Sequence, residues 1–154
     1  MLTPIVIDDV RPRTPSGMAP KGVVGERLPV SALLIADGHD LLGARVRWRR
    51  HGSRTWACAP MVEEEQGRWT GALVPDEVGA HQLVVEAWTN RYATWRHEIE
   101  VKVAAGVDVD LELLEGAEIL TALAGKAKGA DRTTLQRAAD GVARTSCSLD
   151  VRLA

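Results

Sequence analysis

The sequence predicts a mainly β protein: an antiparallel β-sandwich of about seven short strands, followed by a C-terminal helical hairpin. Three observations predict it. From residue 4 to about 104, short apolar runs alternate with turn chemistry. One of these runs, Trp95 to Val103, sorts its residues at a period of two. After residue 106 the apolar period lengthens to about 3.6, which marks a change of element class. The expected division is a sandwich domain over 1–106 and a helical segment over 107–154.

The strands are expected at Ile5 to Val10, Leu28 to Ala36, Ala44 to Arg50, Thr55 to Val62, Arg68 to Val74, Gln82 to Trp88 and Trp95 to Val103. In the last of them Trp95, His97, Ile99, Val101 and Val103 would share a buried face, with Arg96, Glu98, Glu100 and Lys102 opposite. Asp37-Gly38 and Gln66-Gly67 supply residues tolerant of positive φ, and Pro75 to Gly79 separates two further strands. Arg11 to Lys21 carries Pro12, Pro15, Gly17 and Pro20, so it reads as an extended surface connection.

In the helical segment Asp108 is the expected N-cap, with Asp110 and Glu112 where the helix dipole favours acids. Leu113, Leu114, Ala117, Leu120 and Leu123 form an apolar stripe. Gly125, Lys126, Lys128 and Gly129 read as a stop, and Asp131 opens a second helix with Leu135, Ala138, Ala139 and Val142 at helical spacing. The sequence closes on Leu149 to Ala154 with no evident closing element, so the helical segment is read as cut there.

With 45% apolar and 26% charged residues over 154 positions, the chain is globular rather than disordered. A net charge of −2 gives no overall positive field for nucleic acid, and no long uncharged apolar run suits a membrane. Met1 to Ile5 lacks the basic start of a secretory signal, so a cytoplasmic setting is expected, in which Cys58 and Cys147 stay reduced. Neither cysteine has a histidine at ligand spacing, and no metal or cofactor is expected.

No catalytic residues are expected either. The acid clusters Asp8-Asp9 and Glu63-Glu64-Glu65 sit beside turns, where neighbouring side chains diverge. His39, His51 and His81 lie in turns or at a strand start, and His97 reads as a core histidine. Arg45, Arg47 and Arg49 share the outward face of one strand and are either a solvated face or an interface, while Arg91, Tyr92 and Arg96, in an expected hairpin, are either an interface or serve a conformational role. Five tryptophans without a phenylalanine raise a sugar-stacking surface as an alternative. Trp48 and Trp95 are in phase with core residues, the phase leaves Trp56, Trp69 and Trp88 open, and Trp56 and Trp69 are the stacking candidates.

Several uncommon clusters resemble one family in order and spacing. They are Ala36-Asp37-Gly38-His39-Asp40 followed by an arginine-rich strand with Trp48, then Glu86-Ala87-Trp88, Tyr92 to His97, Lys102 to Asp108 and Glu112 to Ala117. Together they are similar to the N-terminal region of bacterial maltosyltransferases that extend α-1,4-glucans from maltose 1-phosphate, an α-amylase-type family. The resemblance implies an immunoglobulin- or fibronectin-III-like sandwich, a helical insert and a following catalytic barrel that holds the aspartate nucleophile and glutamate acid/base. It also implies a homodimer, with the sandwich and helical insert as the contact region. On that footing the expected partners are a second copy and the barrel, met through the arginine face and through the stripe of Leu113, Leu120 and Leu123. An α-glucan is the alternative ligand.

Overall fold

The computed structural model describes residues 4–144, so Cys147 and the Leu149 to Ala154 segment lie outside the described residues. The chain divides into two compact units, Met1–Thr89 and Asn90–Ala154.

Among its described residues the first unit holds six strands: β1 (Ile5–Arg11), β2 (Leu28–Ala36), β3 (Leu42–Arg50), β4 (Ala57–Glu63), β5 (Arg68–Leu73) and β6 (His81–Thr89). Every neighbouring pair is antiparallel, in the order β1-β2-β5-β4-β3-β6. The β4–β5 ladder is only two residue pairs long, Val62 with Thr70 and Glu63 with Trp69. There the sheet turns back on itself, and the inner residues of β2 and β5 meet those of β3 and β4 in one core. That core is Val30, Ala32 and Leu34 of β2, Ala44, Val46 and Trp48 of β3, Met61 of β4, and Trp69 and Leu73 of β5. The architecture is the expected antiparallel sandwich followed by helices.

Alternation explains why these segments are strands. In β3 the even positions Ala44, Val46 and Trp48 are buried while Arg45, Arg47 and Arg49 face outward. The Trp48 indole donates its Nε1–H to the Val74 carbonyl at 3.1 Å, so its polar end is satisfied inside the core. The β4–β5 hairpin turns at Gln66 and Gly67, whose φ of 51° and 76° give the two left-handed residues of a primed turn. In β1 the register slips between Asp8 and Arg11, and Asp9 sits at this irregularity with φ of 43°. Its carboxylate binds Arg11 and Arg68 at 3.1 and 2.8 Å, and these guanidiniums hold its pKa below the ordinary carboxylate value.

The second unit corrects the expectation most sharply. Trp95 to Val103 is not a seventh strand: it lies within helix α1 (Arg91–Ala104), ahead of α2 (Asp110–Lys126) and α3 (Gly129–Val142). Trp95 and Ile99 are buried, as a strand would also require, because a spacing of four satisfies both periods. His97, Val101 and Val103 separate the two readings. All three are exposed, so His97 is no core histidine. The helix also carries its own boundary signals. Asn90 accepts the Ala93 N–H on its side-chain oxygen at 3.1 Å, an N-cap bond. At the other end Gly106 adopts φ of 68°, with Gly106 N–H on Val103 O and Val107 N–H on Lys102 O, both at 3.0 Å, a Schellman stop. Among the described residues the unit therefore holds three helices rather than a hairpin, and the boundary expected at residue 106 falls inside it.

Trp95, Ile99, Val109, Leu113, Ile119, Leu120, Ala139 and Val142 form the core of this unit. Trp95 is its pivot. Its Nε1–H donates to the Glu112 carbonyl at 2.6 Å, and its ring lies so close to Gly116 that no side chain fits there. Lys102 of α1 and Glu112 of α2 form an ion pair that holds Glu112 below its ordinary pKa and Lys102 above its own. The N-cap of α2 is Val109, not Asp108, whose carboxylate instead accepts the Asp110 N–H at 3.0 Å.

Candidate binding face on strands β3 and β6

The pleat of β3 places Gly43, Arg45, Arg47 and Arg49 in a row on the outer surface of the sandwich. Across the β6 ladder their partners are Trp88, Glu86, Val84 and Gln82, and across β4 Arg45 and Arg47 face Pro60 and Cys58. Directly opposed residues share a face, so these side chains form one surface by register alone.

Glu86 organises the centre. Arg45 Nε donates to its Oε2 and Arg47 Nη1 to its Oε1, both at 2.6 Å, and Arg49 Nε donates to Gln82 Oε1 at 2.7 Å. The two guanidiniums, Arg47 foremost, hold the Glu86 pKa below its ordinary value. Arg47 and Arg49 also lie over the Trp56 ring, 4.8 and 4.4 Å from its centroid. Trp56, half-buried beneath two guanidiniums, has that side of its ring taken.

Trp88 is different. Its indole lies against the Gly43 backbone, where a built Cβ would be 2.7 Å from Cε2 and Nε1. Arg45 approaches only to 5.7 Å of the ring centroid, and the residue remains 43% exposed. Sequence reasoning left Trp88 open, although its phase was readable: Gln82, Val84, Glu86 and Trp88 alternate with Leu83, Val85 and Ala87, which pack on the core. Trp69, named with Trp56 as a stacking candidate, is 7% exposed within the sandwich core and offers no ring to a ligand.

The other sequence-predicted residues lie in the helical unit. Arg91, Tyr92 and Arg96 occupy the start of α1 rather than a hairpin. Tyr92 packs tilted on Trp95 with centroids 5.6 Å apart, and Arg96 pairs with Glu100 one turn on at 2.8 Å. The stripe of Leu113, Leu120 and Leu123 is not a free surface, because Leu113 and Leu120 are buried against Trp95 and Ile99 within their own unit. Of the three only Leu123 is exposed, together with Leu111 and Leu114, which point away from the helical core.

The sequence matches one family along nearly its whole length. Residues 3–154 match the family described as "Alpha-1,4-glucan:maltose-1-phosphate maltosyltransferase, domain N/S". The chain belongs to this family. Similar proteins named alpha-1,4-glucan:maltose-1-phosphate maltosyltransferase include one from Rhodospirillum rubrum, 36% identical over 144 residues, covering 86% of this chain and 21% of that protein. One from Streptomyces coelicolor is 38% identical over 154 residues, covering 97% and 23% respectively. One from Myxococcus xanthus is 38% identical over 131 residues, covering 82% and 20%. This maltosyltransferase N/S domain thus spans about a fifth of the length of the curated relatives it matches. Among its described residues, no His, Cys, Asp and Glu side chains gather as a metal site, and no helix is long and apolar enough to cross a membrane.

Proposed function

We propose that the chain is the non-catalytic N-terminal accessory domain of a maltosyltransferase that extends α-1,4-glucans from maltose 1-phosphate, and that it serves assembly into a cytoplasmic homodimer. The observation that carries this reading is coverage: the match to the N/S domain takes in residues 3–154, while roughly four-fifths of each relative has no counterpart in this chain. The carboxylates held most firmly here support it as well. Asp9 and Glu86 are each engaged by two guanidiniums, so both carboxylates are occupied within the sandwich's own ion pairs.

The assembly surface belongs to the helical unit in this reading. The β3 arginines are already engaged by Glu86, Gln82 and Trp56. Leu111 and Leu114, 76% and 49% exposed, and Leu123 are unsheltered large apolar residues of α2, and apolar surface of this kind favours association. Sedimentation equilibrium of the chain tests this, with a dimer expected for the wild type and a monomer for a Leu111→Lys, Leu114→Lys double variant. A strictly monomeric wild type at high concentration would refute the assembly role.

A further inference from the structure

We propose that Trp88, seated on Gly43 and bordered by Arg45 and Glu86, is a stacking platform for a neutral α-1,4-glucan chain on the outer face of the sandwich. The choice of glucan rests on the family reading above; the site itself rests on geometry. A sugar ring presents an apolar C–H face ringed by hydroxyls, so its complement is one exposed aromatic face with fixed donors and acceptors at the border. Trp88 supplies the face. Its other side rests against the Gly43 backbone, so the ring lies flat on the sheet.

The border groups are positioned in advance. Glu86 is held between Arg45 and Arg47 by two 2.6 Å hydrogen bonds, which leaves carboxylate lone pairs and guanidinium N–H groups at fixed places beside the indole. The same clamp decides against an anion, since Glu86 already occupies the position between the two guanidiniums that a phosphate or an acidic peptide would take. Beside Trp88 this face of β3 and β6 carries Arg45, Glu86 and Gln82, the kind of fixed donors and acceptors that sugar hydroxyls need. Trp56 is covered by Arg47 and Arg49, and Trp69 is in the core, so Trp88 is the available ring of the β unit's exposed face.

The test is titration of the 154-residue chain with maltoheptaose, followed by calorimetry and by the indole N–H resonances in heteronuclear NMR. The site predicts saturable binding in which the Trp88 indole resonance moves and that of Trp69 does not. Trp88→Ala should weaken binding by about tenfold or more, and Trp56→Ala should change it far less. Circular dichroism establishes that each variant is folded, and the wild-type resonance shifts need no variant. No saturable binding, binding that moves Trp56 rather than Trp88, or equal binding of a β-linked cello-oligosaccharide would overturn the proposal. A dimer in sedimentation with no glucan binding would remove this site alone and leave the accessory role standing.

Discussion

Replacing Gly116 by alanine should destabilise the helical unit, against the usual direction of that substitution. In an open helix, glycine to alanine stabilises by about 1 kcal/mol, because alanine loses less backbone entropy on folding. At Gly116 the added Cβ would stand 2.0 Å from Cζ2 and 2.2 Å from Cε2 of Trp95. Relaxed carbon contacts need about 3.5–4.0 Å, so ring and helix must part by roughly 1.5 Å. Trp95 has nowhere to yield: it is 5% exposed and its Nε1–H is held by Glu112 O. Overpacking of this kind costs about 1–3 kcal/mol, and losing the indole hydrogen bond costs about 1 kcal/mol more. After the helical gain, the net loss is about 2 kcal/mol. Urea unfolding followed by far-UV circular dichroism measures it. Gly125→Ala in α2 and Gly141→Ala in α3 are internal controls, since nothing lies within 4 Å of a Cβ at either site, and each should stabilise by about 0.5–1 kcal/mol. A Gly116→Ala variant as stable as those controls would refute the packing of Trp95 on α2.

Other outcomes follow from the same contacts. Asn90→Ala should cost about 1 kcal/mol through loss of the cap on Ala93 N–H, seen as a lower unfolding midpoint of the helical signal. Acidification should destabilise the fold: Asp9, Glu86 and Glu112 all have lowered pKa values, so their contribution is complete above the ordinary carboxylate range and lost as pH falls through the lowered values. Urea midpoints measured across an acid series check this, and Glu112→Gln should flatten the acid limb of the helical transition. Gly43→Ala should leave stability nearly unchanged, because the half-exposed Trp88 ring can lift away where Trp95 cannot, and the displaced indole should red-shift tryptophan emission.

The sandwich was legible where one face is buried and the other charged. Leu28 to Ala36 coincides with β2, and the Arg45, Arg47 and Arg49 alternation sets the phase of β3. The misreading at Trp95 to Val103 has a local cause, since its charges happen to fall on every second residue although the burial follows Tyr92, Trp95 and Ile99 at helical spacing. Asn90 before that stretch and Gly106 after it were the helix signals to weigh against the alternation. For the binding face, register did what phase alone could not: it set Gly43 opposite Trp88 and Glu86 opposite Arg45. Burial of Leu113 and Leu120 could not be read from their stripe, because an apolar stripe looks the same whether α1 covers it or another molecule does.

The central proposal is that this maltosyltransferase-family domain does not itself carry the transfer chemistry. Incubating the purified chain with maltose 1-phosphate and maltoheptaose and measuring inorganic phosphate tests it most directly. The account predicts no phosphate release above the protein-free rate. Release that rises in proportion to the concentration of the chain would contradict it.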